Sequence, residues 1–417
     1  MSNYTKENTK KIEQFILSGA KPSDKSNIGM ECEHFIVDKN GRAVSYYGEN
    51  SVESIMNQLS LFYPDKEYSQ GHLIALNDGV VFITLEPAAQ IETSIIPGSD
   101  LFKIRDEYQK FVSRINAILK RYSYSLLTLG YQPKSKADDL RIIPKERYAF
   151  MDSYFKAKGT DAKWMMRGSA SVQANIDYFD SEDFSLKYKT AALLAPLFYL
   201  LTDNAPVFEG ERYLSRCARS YIWQNVDDKR CKLPESIFNA GFSAEAYARW
   251  VYSTEPIFII DDNGKEILTA FASNEELFSE REISTREIKH IMSMAFPDVR
   301  VKQFIEIRTG DSMPIEYAFA YLALIKGVFY NNSALKELEG ILSAVSYREY
   351  SDLTDNLRKH GFDAEYAGMS VKIFIKKLFK FAKQSLTSRE IKLLEPLEAL
   401  SDLEKTPKSL YCQEAFI

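Results

Sequence analysis

The pattern that most restricts this fold is acidic side chains at every second position within stretches that otherwise read as apolar strands. Successive side chains of an extended chain point to opposite faces. Leu85 to Ser94, LEPAAQIETS, therefore turns Glu86, Gln90 and Glu92 to one side and Leu85, Ala89 and Ile91 to the other, with Pro87 bending the strand or placing it at an edge. Gly29 to Val37, GMECEHFIV, repeats the arrangement, with Glu31 and Glu33 opposite Met30, Cys32 and Ile36. Met165 to Tyr178 alternates Ser169, Ser171, Gln173, Asn175 and Asp177 with Gly168, Ala170, Val172, Ala174 and Ile176. In Asp298 to Arg308, read as a last strand, Glu306 and Arg308 share a face while Ile305 and Ile307 point inward. Each strand alone is satisfied by a solvated face. Five carboxylates gathered on one concave face are unstable without cations.

The rest of the chain supplies helices around such a sheet. Amphipathic patterns predict helices over residues 4–19, 51–61, 101–122 (capped by Ser99 or Asp100), 144–155, 184–202 and 243–253. Asp38 to Gly41, Asn77 to Gly79, and Asn263-Gly264 after the strand Ile257 to Asp261 are hairpin signals, and 125–130 reads as a buried strand. After Met313-Pro314 the pattern is helical over 316–330, 333–345, 348–360, 370–386 and 388–403, with no strand signal between. The expected class is α+β: an antiparallel sheet with flanking helices in a catalytic region, 1–330, and a helical C-terminal region, 331–417, packed on it.

With 417 residues, 45% of them hydrophobic, and 25 Tyr and 26 Phe, the chain can bury a sizeable core. A net charge of −5 argues against a nucleic-acid footprint and for small-molecule partners. Cysteines stand only at 32, 217, 231 and 412, without metal spacing or a disulfide framework, so each reads as a small buried hydrophobe. The lysines at 372, 376, 377, 380 and 383 read as the solvated face of a helix. No secretory signal and no apolar run long enough to span a bilayer is present, so a cytoplasmic protein without membrane contact is expected.

Carboxylate oxygens suit magnesium or manganese rather than zinc. Arg216, Arg219 and Arg230 provide planar forks for carboxylates or phosphates. Together they would form a phosphoryl-transfer site working by positioning and charge neutralisation. Neither GxxxxGK nor GxGxxG occurs, so ATP would have to be held through metals and arginines. Two other readings stay open: a metal-independent glycosidase using two of the carboxylates, and an inactive binding protein.

In order along the chain, GMECEHF, ITLEPAAQIETS, MMRGSASVQANIDYF, DNAPVFEG, ARSYIWQNVDDKRCKLP and VKQFIEIRTGD resemble the glutamate–cysteine ligases of the plant and proteobacterial type, from about residue 25 to 330. The resemblance implies a curved antiparallel sheet similar to that of glutamine synthetase, magnesium as cofactor and ATP as co-substrate. It further implies metal ligation by Glu31, Glu33, Glu86, Glu92 and Glu306, and nucleotide contact by Gln173, Asn175 and Arg230. Arg219, with Trp223 and Arg167, is implied to bind substrate, and Arg308 and Arg230 to face the phosphates in catalysis. The implied reaction joins the γ-carboxylate of glutamate to the amine of cysteine through a γ-glutamyl phosphate, with a different amine as the alternative acceptor. Two departures stand out: Ala88-Ala89 replaces a Gly-Gly pair, and Gly168-Ser169 replaces an Arg-Thr pair, leaving Arg167 displaced by one position.

Overall fold

The computed structural model describes residues 3–411 apart from 24, 161, 240 and 261–264. Among these, nine strands form one antiparallel sheet: β1 Ile28–Val37, β2 Asp65–Ser69, β3 His72–Asn77, β4 Val81–Leu85, β5 Ile91–Gly98, β6 Ser125–Leu127, β7 Ser171–Ile176, β8 Val299–Val301 and β9 Ile305–Asp311. Their order is β8-β9-β7-β1-β5-β4-β3-β2, with β6 pairing the far end of β1. The alternation that predicts β1, β7 and β9 also decides which way the sheet faces. Met30, Cys32, Val172, Ala174, Ile176, Ile305 and Ile307 are fully buried, on the side that packs against the helices Leu101–Leu119, Ser181–Leu201 and Ile315–Phe329. The last of these is largely apolar and buried from Ala318 to Phe329, with its one buried charge, Lys326, paired to Glu390. Helices Val371–Ser385 and Ser388–Asp402 cover its other side, so one hydrophobic cluster joins the sheet to the C-terminal helices.

Several elements differ from the sequence reading, each for a physical reason. Leu85 to Ser94 is not one strand. β4 stops at Leu85, and residues 86–90 turn back, closed by Glu86 N–H to the Gln90 carbonyl (2.9 Å) and Ala89 N–H to the Glu86 carbonyl (2.9 Å). Pro87 has no N–H to give a ladder, and Ala89 takes the left-handed conformation, φ +68°, where the replaced glycine would sit without strain. Asp298 to Arg308 likewise splits into β8 and β9 around residues 302–304. Met165 to Gly168 ends the short helix Ala162–Gly168, and β7 begins only at Ser171. The 125–130 segment yields a three-residue, partly exposed strand. β2 and β3 carried too weak an alternation to be recognised, and a two-residue hairpin, Glu365–Tyr366 with Met369–Ser370, interrupts the C-terminal helices. The Asp38 to Gly41 turn forms as expected, with Gly41 at φ +78°. The Asn263-Gly264 turn and Cys412 lie outside the described residues. Cys32 and Cys217 are buried and Cys231 half-buried, with no disulfide among the described residues. Among the described residues no helix is long and apolar enough to cross a membrane.

β9 slips register against β7 between Ile307 and Gly310, and the bulge depends on the missing side chain. A Cβ at Gly310 would lie 2.7 Å from the Val172 carbonyl oxygen and 2.8 Å from Tyr321 Cε1. Gly310→Ala is therefore expected to lower unfolding free energy by about 1–3 kcal/mol in urea titration. An unchanged midpoint would mean that the bulge has room to spare.

Candidate active site

The face of the sheet turned away from the helical core carries a cavity of about 290 Å³. Strand register explains what lines it. Glu33 stands opposite Glu92, and Glu31 opposite Gln173. Asn175 stands opposite Glu306, which in turn stands opposite Arg300. Directly opposed residues share a face, so these side chains form one polar field across β8, β9, β7, β1 and β5. Glu86 joins it from the 86–90 turn. That turn is fastened on both sides. The Gln90 side chain accepts from Ala88 N–H (2.9 Å) and donates to the carbonyls of Met166 (3.3 Å) and Ser169 (3.2 Å), while the Tyr148 hydroxyl donates to the Leu85 carbonyl (3.1 Å) and to Glu86 Oε1 (3.3 Å).

The cavity has an acidic pole and a basic pole. At the acidic pole, Glu33 accepts from Ser171 N–H (2.7 Å) and Gln173 Nε2 (3.1 Å), Glu31 from Asn175 Nδ2 (2.7 Å), and Glu92 from the Thr84 hydroxyl (2.7 Å). All these donors are neutral. Burial and the Glu86 charge push the Glu33 carboxyl up to about 7, despite Arg219 and Arg308. Burial, then the Glu31, Glu86 and Glu33 charges, raise Glu92 well above the usual carboxylate range. Burial and Glu306 raise Glu31. Among the described residues no ion pair neutralises Glu31, Glu33, Glu86 or Glu92, so four hard oxygen-donor side chains are left without a cation partner, a donor set that fits a divalent cation such as magnesium. No three of the described acidic, His or Cys side chains converge on a single ion-sized point. A bound cation would therefore complete its shell with water and substrate oxygens, as magnesium commonly does.

At the basic pole, the fully buried Glu306 is surrounded by Arg300 Nε (2.7 Å), Lys302 Nζ (2.7 Å) and Arg308 Nη1 (2.9 Å). Burial works to raise its carboxyl, but the three cations pull it well below the usual range. Glu306 thus faces the expected side, yet its charge is already balanced and it does not line the cavity. Arg308 also donates to Gln173 Oε1 (3.2 Å) and lies 5.5 Å from the Trp223 ring centroid.

Of the residues singled out from sequence, Glu31, Glu33, Glu86, Glu92, Gln173, Arg219, Trp223 and Arg308 line the cavity. Asn175 stands behind Glu31. Arg219 has structural work as well: only 3% exposed, it donates to the carbonyls of Arg308 (3.2 Å), Thr309 (3.3 Å) and Gly310 (3.0 Å) and pairs with Asp311 (3.4 Å), fastening the helix Ala218–Gln224 to β9. Among the described residues its Nε has no hydrogen-bond partner. Two of the residues named from the sequence lie away from the cavity. Arg230 does not reach the cavity: its fully buried guanidinium serves Asp227, the Tyr154 hydroxyl and the carbonyls of Met294 and Glu255. Arg167 sits on the short helix rather than on β7, so it pairs with Asp152 and donates to the carbonyls of Ala137 and Leu140.

The sequence reading missed Lys145, Arg147, Arg300 and Lys302, together with an apolar wall of Met151, Met165, Met166 and Phe296. Arg300 and Lys302 alternate with Val299 and Val301, a signal available once the 302–304 turn is recognised. Lys145 and Arg147 open the helix Glu146–Lys158, where no local pattern marks them as cavity residues.

The profile of glutamate-cysteine ligase family 2 matches residues 27–376 of this sequence. The chloroplastic glutamate–cysteine ligase B of Oryza sativa subsp. japonica is 26% identical over 407 residues, covering 94% of this chain and 81% of that protein. The chloroplastic glutamate–cysteine ligase of Arabidopsis thaliana is 25% identical over 399 residues, with 94% and 76% covered. Among solved structures, the glutamate–cysteine ligase of Francisella tularensis in complex with AMP aligns with a TM-score of 0.57 at 11% identity, over 94% of this chain and 84% of that one. That likeness is one of fold, and it agrees with the α+β class.

The raised carboxyls make stability depend on pH and on divalent cations. A carboxyl whose folded pKa exceeds its unfolded value of 4.5 adds stability while protonated and loses it as pH rises, here up to about 7 for Glu33. In chelator the thermal midpoint should therefore fall between pH 5 and pH 7.5, and Glu33→Gln should flatten that fall. Magnesium should raise the midpoint more at pH 7.5 than at pH 5. Equal magnesium effects at both values would show that these carboxylates do not bind it.

Proposed function

Because the chain belongs to glutamate-cysteine ligase family 2, we propose that it joins the γ-carboxylate of glutamate to the amine of cysteine at the expense of ATP, the first step of glutathione synthesis. The observation that carries this reading is a single cavity in which four carboxylates without cation partners face a cluster of arginine and lysine side chains. A glycosidase has no use for that basic pole.

Glu31, Glu33, Glu86 and Glu92 are the residues proposed to hold magnesium. Bound there, magnesium would neutralise them and draw negative charge from the ATP phosphates. Arg308, held by Glu306 and Gln173, is the residue proposed to stabilise charge on the phosphoryl group as a glutamate γ-carboxylate oxygen attacks the γ-phosphorus and ADP leaves. Arg219 and Trp223 are the proposed contacts for the amino-acid substrate, and the methionine and phenylalanine wall keeps water from the acyl phosphate. The acceptor nitrogen then attacks the acyl carbon, phosphate departs, and the amine gives up a proton. Residues 1–330 would contain this machinery, with 331–417 closing the core beneath it.

Mass spectrometry of reactions containing ATP, magnesium, glutamate and a panel of amines tests the assignment directly. γ-Glutamylcysteine with one ADP per product is expected, and a preference for another amine would keep the ligase chemistry while changing the acceptor. No ADP with any amine would sink the reading. Glu86→Gln should raise the magnesium concentration needed for half-maximal rate and lower turnover at least tenfold. Arg219→Lys should raise KM for glutamate at least tenfold, about 1.4 kcal/mol. It should also lower the thermal midpoint, because lysine cannot span the same three carbonyls.

A further inference from the structure

We propose that Arg300 and Lys302 grip the polyphosphate of the nucleotide, an assignment that rests on the ligase reading and adds the residues that read the phosphates. The two side chains leave β8 and its turn on the cavity face, with Arg300 opposite Glu306 in register and Lys302 two residues further on. The turn is closed by Lys302 N–H to the Phe304 carbonyl, 2.9 Å. Around Glu306, three cations share one carboxylate, so two positive charges remain in surplus at the cavity wall.

That surplus is held at a cost. The Arg300 side chain is only 11% exposed, and a charge removed from water is stable only when it is paired. Among the described residues, its one hydrogen bond is through Nε to Glu306, which leaves both terminal nitrogens to a ligand. The four glutamates of the acidic pole form no ion pair with this cluster, and Glu31 feels Arg300 and Lys302 only across a distance, as a pull that burial and Glu306 outweigh. An amino-acid carboxylate brings a single negative charge, whereas a polyphosphate brings several. It also offers the oxygen geometry that a guanidinium fork and a point-charge ammonium recognise together. Arg230, whose guanidinium is enclosed elsewhere, cannot supply this contact.

Calorimetric titration of the unaltered chain, Lys302→Met and Arg300→Gln with magnesium–ADP and, separately, with adenosine tests the assignment. Each variant should bind ADP at least tenfold more weakly, about 1.4 kcal/mol, with adenosine affinity and KM for glutamate within twofold of the unaltered chain. Lys302 is 40% exposed, so Lys302→Met keeps the test valid if Arg300→Gln folds poorly. ADP affinity unchanged in Lys302→Met, or adenosine weakened as much as ADP, would overturn the assignment. If the unaltered chain binds no ADP, the ligase reading fails first and takes this one with it.

Discussion

Like-charge repulsion among Glu31, Glu33, Glu86 and Glu92 is the constraint on which the rest of the structure depends. These carboxylates are kept close by backbone ladders and by neutral donors, Ser171 N–H, Gln173, Asn175 and the Thr84 hydroxyl. None of those donors cancels charge. The buried apolar face beneath them supplies the opposing force: β1, β7 and β9 cannot slip by one residue without burying these acids in the core. Register and function are thus enforced by the same hydrophobic burial.

The cations are arranged by the opposite logic. At Glu306 they outnumber the carboxylate, whereas Arg230, which does not reach the cavity, is bonded through all three of its nitrogens inside the protein. Arg230 ties its own turn to the segments carrying Tyr154, Glu255 and Met294. Through the bond from Phe296 N–H to the Arg230 carbonyl, 2.8 Å, it also helps place a cavity-wall ring. Arg219 does both kinds of work, lining the cavity while holding three carbonyls of β9. A buried guanidinium left without acceptors would be costly, and Arg230, the most deeply buried of these arginines, has an acceptor at each nitrogen.

The 86–90 turn is where local preference and global demand conflict. Ala89 occupies a left-handed conformation that glycine adopts more readily, and it is kept there by Gln90 and Tyr148 acting from either side. Such strain persists only where the surroundings over-determine it. Here it aims Glu86 into the cavity beside Glu33, whose carboxyl it perturbs.

Alternation by itself determined a sheet with one apolar and one acidic face, since the period of a strand assigns every side chain to a side without knowledge of its neighbours. Glu31, Glu33, Glu92, Glu306 and Arg308 were legible on that basis, as was the helical run after Pro314. Period alone could not reveal where an extended segment reverses, because a hairpin preserves the same every-second-residue spacing. So the 86–90 and 302–304 turns, and with them the pairing of Arg300 with Glu306, were decided only in three dimensions. The same holds for Arg167 and Arg230. A motif names an arginine, but which acceptors lie within reach of its fork depends on packing between elements far apart in the chain, and tertiary structure alone turned these two inward and left Arg308 at the cavity.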